Sequence, residues 1–129
     1  MPKSNLFLNL FRDKESASFA AGQIVFQAGD PGETMYVATE REVEILEGSI
    51  ILEVAEPGTI VGELALIDDE PRSATVIAKT KCRLVPVDRR QFQYMTQETP
   101  FFALTVMKVL TDRLRRKNVR TRSQAESGG

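Results

Sequence analysis

Between Ser18 and Asp88 the chain is cut into short β-like runs by turn signals at roughly ten-residue spacing, and this punctuation constrains the fold most. Gly22, Gly29-Asp30-Pro31-Gly32, Glu47-Gly48-Ser49 and Pro57-Gly58 supply the breaks. Between them lie QIVF, TMYVAT, EVEIL and SIILEV. In the last, Ile50, Leu52 and Val54 share one face while Ile51 and Glu53 take the other. Thr75–Ala78 and Cys82–Val87 are again strand-like. Short strands with frequent turns predict an antiparallel sandwich, roll or barrel.

Helical patterns flank this region. Asn5–Asp13 reads as a short helix presenting Leu6, Leu10 and Phe7 or Phe11. Another helix is expected near Arg89–Thr96, opened by Asp88. Pro100 suits a first helical position with Thr99 as N-cap, and Ala103, Met107, Leu110 and Leu114 then recur at helical spacing. The first half of that helix, FFALTVMKVL, is apolar nearly all round, whereas TDRLRRKNVRTR is polar apart from Leu114 and Val119. Such a helix should start buried and then run into solvent or pack on a partner, a second copy of the chain being one such partner. One domain is expected over residues 1–122, with strands over 17–88, helices over 89–122 and a frayed tail at 123–129.

Composition excludes several functions. The 129 residues are 42% apolar and 27% charged, as in an ordinary soluble globular protein. The longest apolar runs are only a few residues, against the roughly 20 that span a bilayer. The N-terminus has no extended apolar region or cleavage site of a signal peptide, and the lone Cys82 can form no internal disulfide; both point to the cytoplasm. Histidine is absent, which removes zinc sites, acyl-transfer triads and histidine general bases. No catalytic residue, metal or cofactor is expected, and the chain reads as non-enzymatic. Residues 108–129 hold seven Lys/Arg against two acids, and residues 1–107 ten against sixteen. A basic end can bind nucleic acid or an anionic surface, but a solvated helix end suited to the helix dipole is the plainer reading. Neither nucleic acid nor a membrane is the expected partner.

One segment breaks the alternation: Gly62–Val76, GELALIDDEPRSATV. Gly62 precedes a short helix-compatible stretch, whose first N–H groups have no internal partners and so form an anion site. Arg72 could aim a two-pronged donor at the same place, as suits a phosphate, and Glu63 would suit a sugar hydroxyl. Alternatively, Glu63 and Arg72 pair with each other beneath a loop. Spacing alone leaves these two readings level.

The same segment closely resembles the phosphate-binding cassette of the cyclic nucleotide-binding domain family, GE-x-A-L followed by PR-x-A-T-V. Gly62, Glu63, Ala65, Leu66, Pro71, Arg72, Ala74, Thr75 and Val76 all match. The Gly29–Gly32 turn, Met35–Val37 and Pro57-Gly58 extend the resemblance, which covers residues 17–115. It implies an eight-stranded antiparallel β-roll of jelly-roll type, with a short N-terminal helix, a cassette helix and C-terminal lid helices. It also implies a cAMP or cGMP ligand. Glu63 would accept from the ribose 2′-hydroxyl and Arg72 would pair with the phosphate oxygens. Backbone amides around Gly62, Ala65 and Ala74 would complete the cradle, and Val61, Leu64 and Val76 would form apolar walls. The lid residue touching the base falls within Val109–Asn118.

Three positions depart from the family pattern. Arg41 stands where a turn glycine is usual, implying a non-glycine turn geometry; Thr59 replaces an acid and Val61 an aromatic. None removes a group that touches phosphate. In the family, alanine after the arginine goes with cAMP and threonine often with cGMP, so Ser73 permits both, with cAMP favoured. Cys82, Met35, Tyr36 and Met107 read as core or strand residues, and Asp68-Asp69-Glu70 as a solvated turn rather than a metal site. Relatives join this domain to a kinase, a channel pore or a helix-turn-helix. The starting Met and the short polar tail favour a stand-alone receptor acting on a protein partner over a piece of a larger protein. Two rivals stand beside it: an interaction module that has lost ligand binding, and a nucleic-acid or anionic-surface binder using Arg113–Arg122.

Overall fold

The computed structural model describes residues 5–127, with side chains over residues 6–119. Eight strands follow helix α1 (Asn5–Phe11): β1 (Ala17–Phe19), β2 (Ile24–Phe26), β3 (Thr34–Glu40), β4 (Val43–Glu47), β5 (Ile50–Ala55), β6 (Ile60–Val61), β7 (Thr75–Ala78) and β8 (Cys82–Asp88). Helix α2 (Leu64–Asp68) lies between β6 and β7, and α3 (Arg89–Glu98) and α4 (Pro100–Ser127) follow β8. Two four-stranded sheets result, ordered β1-β8-β3-β6 and β2-β7-β4-β5, with every pairing antiparallel. This is the expected roll. Strands β1 and β6, of three and two residues, are not among the runs that the sequence pattern picks out.

β3 and β8 form the spine. Met35 pairs with Val87 and Val37 with Val85, and all four are buried in one cluster with Phe7, Phe11, Phe92, Phe102 and Val106 of the helices. Their neighbours Ala38, Cys82 and Leu84 are buried with Val43, Ala55, Val61, Val76 and Ala78. The buried face of β8 switches between Leu84 and Val85, with Arg83 and Pro86 exposed, so CRLVPV packs first on one cluster and then on the other and does not alternate strictly. Burial raises the Cys82 thiol pKa.

On the helical side, Phe102 is met by Phe7 at 5.9 Å, Phe92 at 5.8 Å and Phe11 at 6.2 Å between ring centroids. This docking sets the phase of α4 and corrects one expectation. Phe102 and Val106 face the core, while Met107 is 54% exposed. A stretch apolar nearly all round cannot fix its own phase; the aromatic cluster does. Asp88 opens α3 as expected, closing a reciprocal capping box with Gln91. α4 continues into the 123–129 stretch, of which residues 128 and 129 lie outside the described residues.

The turn after β3 brings a second correction. Arg41 adopts a left-handed backbone at φ 66°, the geometry a glycine would supply. β3 and β4 belong to different sheets and are joined by Arg41 and Glu42, so strand pairing imposes the reversal. Tertiary packing overrides a local penalty of roughly 1–2 kcal/mol.

Candidate functional site

β6 delivers the chain to Gly62, where φ is +81°. Glycine is favoured here on two counts. The backbone is left-handed, and a Cβ would lie 2.6 Å from Arg72 Nη1. Glu63 then leads into α2, whose five residues bury Ala65 and Leu66 and end at Asp69 in a left-handed cap. Asp68 accepts from the Glu70 amide, so the acidic run is turn chemistry.

Arg72 is held from several sides. Its amide donates to Asp30 O and its carbonyl accepts from the Gly29 amide, both at 2.8 Å, which ties the cassette to the Gly29–Gly32 turn. Gly32 makes room for the side chain: a Cβ there would stand 2.7 Å from Nε. Nη1 donates to Gly62 O at 2.9 Å and Nη2 to Thr34 O at 2.6 Å, while the Phe26 ring lies 4.0 Å from Cζ. The buried Nε has no hydrogen-bond partner among the described residues. Desolvation lowers the Arg72 pKa, with Tyr36, Glu63, Asp30 and Glu33 partly opposing. Arginine stays protonated regardless, so the meaning is a buried cation poor in neutralising contacts.

The expected alternative, a Glu63–Arg72 ion pair, gives way to another arrangement. Glu63, 3% exposed, meets Arg113 of α4 at 2.9 Å. Arg113 also pairs with Glu53 of β5 at 2.9 Å and donates to the Ile60 carbonyl. Burial pulls the Arg113 pKa down, but Glu63 and Glu53 together outweigh it and raise the pKa. Arg116 reaches Glu53 at 3.3 Å. The basic stripe of α4 is therefore partly turned inward onto acids of the roll.

These groups surround a cavity of about 460 Å³. Val61, Gly62, Glu63, Leu64, Ala65, Arg72, Ser73, Ala74 and Val76, the whole candidate set, line it. Leu110, Arg113, Leu114, Arg116 and Lys117 line it from α4, inside the Val109–Asn118 range. Sequence reading missed Glu53, Leu52 and Phe26. β4 and β5 shift register between Ile45 and Leu46, with Leu52 as the extra residue of β5 at the step, so Leu52 and Glu53 both reach the cavity against strict alternation. Chemically, the arrangement offers a buried cation at one wall, a carboxylate beside it and apolar side chains between.

The profile of the family described as "Cyclic nucleotide-binding domain" matches residues 16–99. The chain belongs to that family. It is 39% identical over 77 residues to the cGMP-dependent protein kinase egl-4 of Caenorhabditis elegans, covering 60% of this chain and 10% of the kinase. The cyclic nucleotide-gated potassium channel mll3241 of Mesorhizobium japonicum is 31% identical over 108 residues, covering 84% of the chain and 30% of the channel. The chain thus spans less than a third of either relative. Thermus thermophilus Catabolite Activator Protein superposes with a TM-score of 0.77 at 23% identity, over 94% of the chain and 58% of that protein, a likeness of fold. No helix among the described residues is long and apolar enough to cross a membrane.

Proposed function

We propose that this domain is a cytoplasmic, non-enzymatic receptor for a cyclic nucleotide, taking cAMP ahead of cGMP. The observation that carries the reading is Arg72: a buried guanidinium with an unpartnered Nε, on the wall of a cavity within the roughly 300–1,000 Å³ range of small-molecule sites. The cyclic phosphate accepts from Arg72 and from backbone amides around Gly62, Ala65 and Ala74. The ribose 2′-hydroxyl donates to Glu63, held in place by Arg113. Val61, Leu64 and Val76 pack on the sugar, and the base lies toward Leu110 and Leu114 of α4. Ser73 lines the same wall and admits either base, with cAMP favoured.

α4 is the output. Arg113 joins it to the cassette through Glu63, so a ligand that rearranges the cassette moves α4 by the difference in its affinity for the two positions. α4 also exposes Leu104 and Met107, which fall with Thr111, the half-exposed cavity-edge Leu114 and Asn118 at alternating steps of three and four. That spacing suits pairing with a second copy, and sedimentation equilibrium tests it. A further protein partner would read the moved helix.

Calorimetric titration with cAMP, cGMP and cyclic dinucleotides tests the site, with Arg72→Ala as the control. Saturable binding of cAMP that the variant loses is expected. A wild type that binds no cyclic nucleotide at high micromolar concentration defeats this reading and leaves an interaction module. Steeply salt-dependent binding to DNA would instead point to the basic helix.

A further inference from the structure

α2 ends at Asp68, and so short a helix leaves its last carbonyls without internal partners. Arg89 takes them up: Nη1 donates to Leu66 O at 3.1 Å and Nη2 to Ala65 O at 3.4 Å. The same guanidinium pairs with Asp69, the left-handed cap residue, at 2.7 Å and with Glu33 at 3.3 Å. Glu33 stands between Gly32, which leaves space for Arg72, and Thr34, whose carbonyl accepts from Arg72. Arg89 is also the first residue of α3, and α3 leads through Thr99 to α4. One side chain therefore touches the cassette helix, the loop that ends it, the strip beside Arg72 and the root of the C-terminal helices.

The contacts differ in weight. Asp69 and Glu33 are 75% and 76% exposed, so those ion pairs contribute little by themselves. The carbonyl contacts are charge-assisted, partly buried and placed at a helix C-terminus, where a cation is favoured. A fork that meets two carbonyls and two carboxylates at once cannot be reproduced by the single ammonium of lysine.

We infer that Arg89 is a positioning residue: it sets the cassette for ligand and transmits the cassette's position to α3 and α4. This rests on the reading of the cavity as a cyclic nucleotide site. The test uses the full chain with cAMP as probe, comparing wild type, Arg89→Ala and Arg89→Lys by calorimetry and amide hydrogen exchange. Arg89→Ala should bind cAMP about tenfold more weakly. Without ligand, its amides over residues 64–70 should exchange faster while β3 and β8 keep their protection. Adding cAMP should alter exchange along α4 in the wild type but not in Arg89→Ala, with Arg89→Lys intermediate. A merely structural role would speed exchange throughout and leave the α4 response to ligand intact. That result overturns the inference, as does an Arg89→Ala chain matching wild type, or a wild-type α4 that ignores bound cAMP. Should Arg89→Ala fail to fold, Arg89→Lys decides by the same readouts. A wild type that binds no cAMP defeats the cyclic nucleotide reading and this inference together; a wild type that binds while the Arg89 variants match it defeats this inference alone.

Discussion

Of the three arginines that line the cavity, Arg113 and Arg72 are treated in opposite ways. Arg113 of α4 meets two carboxylates and a carbonyl, so its charge is answered within the chain. Arg72 of the cassette has two backbone carbonyls and the face of Phe26, and its Nε has no hydrogen-bond partner among the described residues. Opposite pKa directions follow: carboxylates raise that of Arg113, and desolvation lowers that of Arg72. A neutralised cation fastens structure. A desolvated cation without a counter-ion is stabilised by whatever anion enters, which separates a fastening from a receptor.

The largest effect should come from removing the receptor cation. Arg72→Ala is expected to weaken cAMP binding by at least tenfold, since charge-assisted hydrogen bonds contribute about 1.5–3 kcal/mol. Calorimetry reads this directly, and binding left unchanged would erase the contrast between the two residues. Gly62→Ala attacks the same group indirectly. Its Cβ would press on Arg72 Nη1 in a left-handed backbone, so the guanidinium must shift. Weaker binding together with a stability loss of about 1–2 kcal/mol is expected in urea denaturation. Arg113→Ala should reverse the balance. Buried Glu63 would lose its ion pair and Glu53 the closer of two cations, lowering stability by about 1–3 kcal/mol. The more negative cavity should weaken an anionic ligand by a few-fold, less than Arg72→Ala does. Equal losses from both variants would mean that both arginines hold the phosphate.

The two arginines also mark how far sequence reading reaches. Arg72 was legible because its site is local: Glu63, Gly62 and Arg72 fall in one fifteen-residue segment with a recognisable pattern. The Arg113 contacts were not, because they join positions 50 and 60 apart and depend on how α4 docks. That docking is set by Phe102 among Phe7, Phe11 and Phe92, and a helix apolar on most sides gives no hint of it. Glu53 was hidden by the register shift opposite Ile45 and Leu46, since strict alternation assigns it a different face from Leu52. Arg41 shows a propensity rule losing to topology, its left-handed backbone being imposed by two strands in separate sheets.

Cys82 gives a pH handle away from the cavity. Its folded pKa is raised by burial, so its contribution to stability is complete below the unfolded thiol value and lost as pH rises through the folded value. Thermal denaturation above pH 8.5 should show that loss, and Cys82→Ala should remove the pH dependence at a fixed cost from the smaller side chain. The cAMP titration should be indifferent to it, since both arginines keep their charge.

The smallest effect tests the edge of the fastening. Arg116 also reaches Glu53, but its side chain is 47% exposed against 19% for Arg113, so water and salt already screen its charge. Arg116→Ala should therefore shift stability by no more than about 0.5 kcal/mol. Comparing it with Arg113→Ala in the same urea series separates burial from charge, because both residues meet the same carboxylate. A loss as large as that of Arg113→Ala would mean that Glu53 needs both cations, and the fastening would then extend along α4 rather than resting on one side chain.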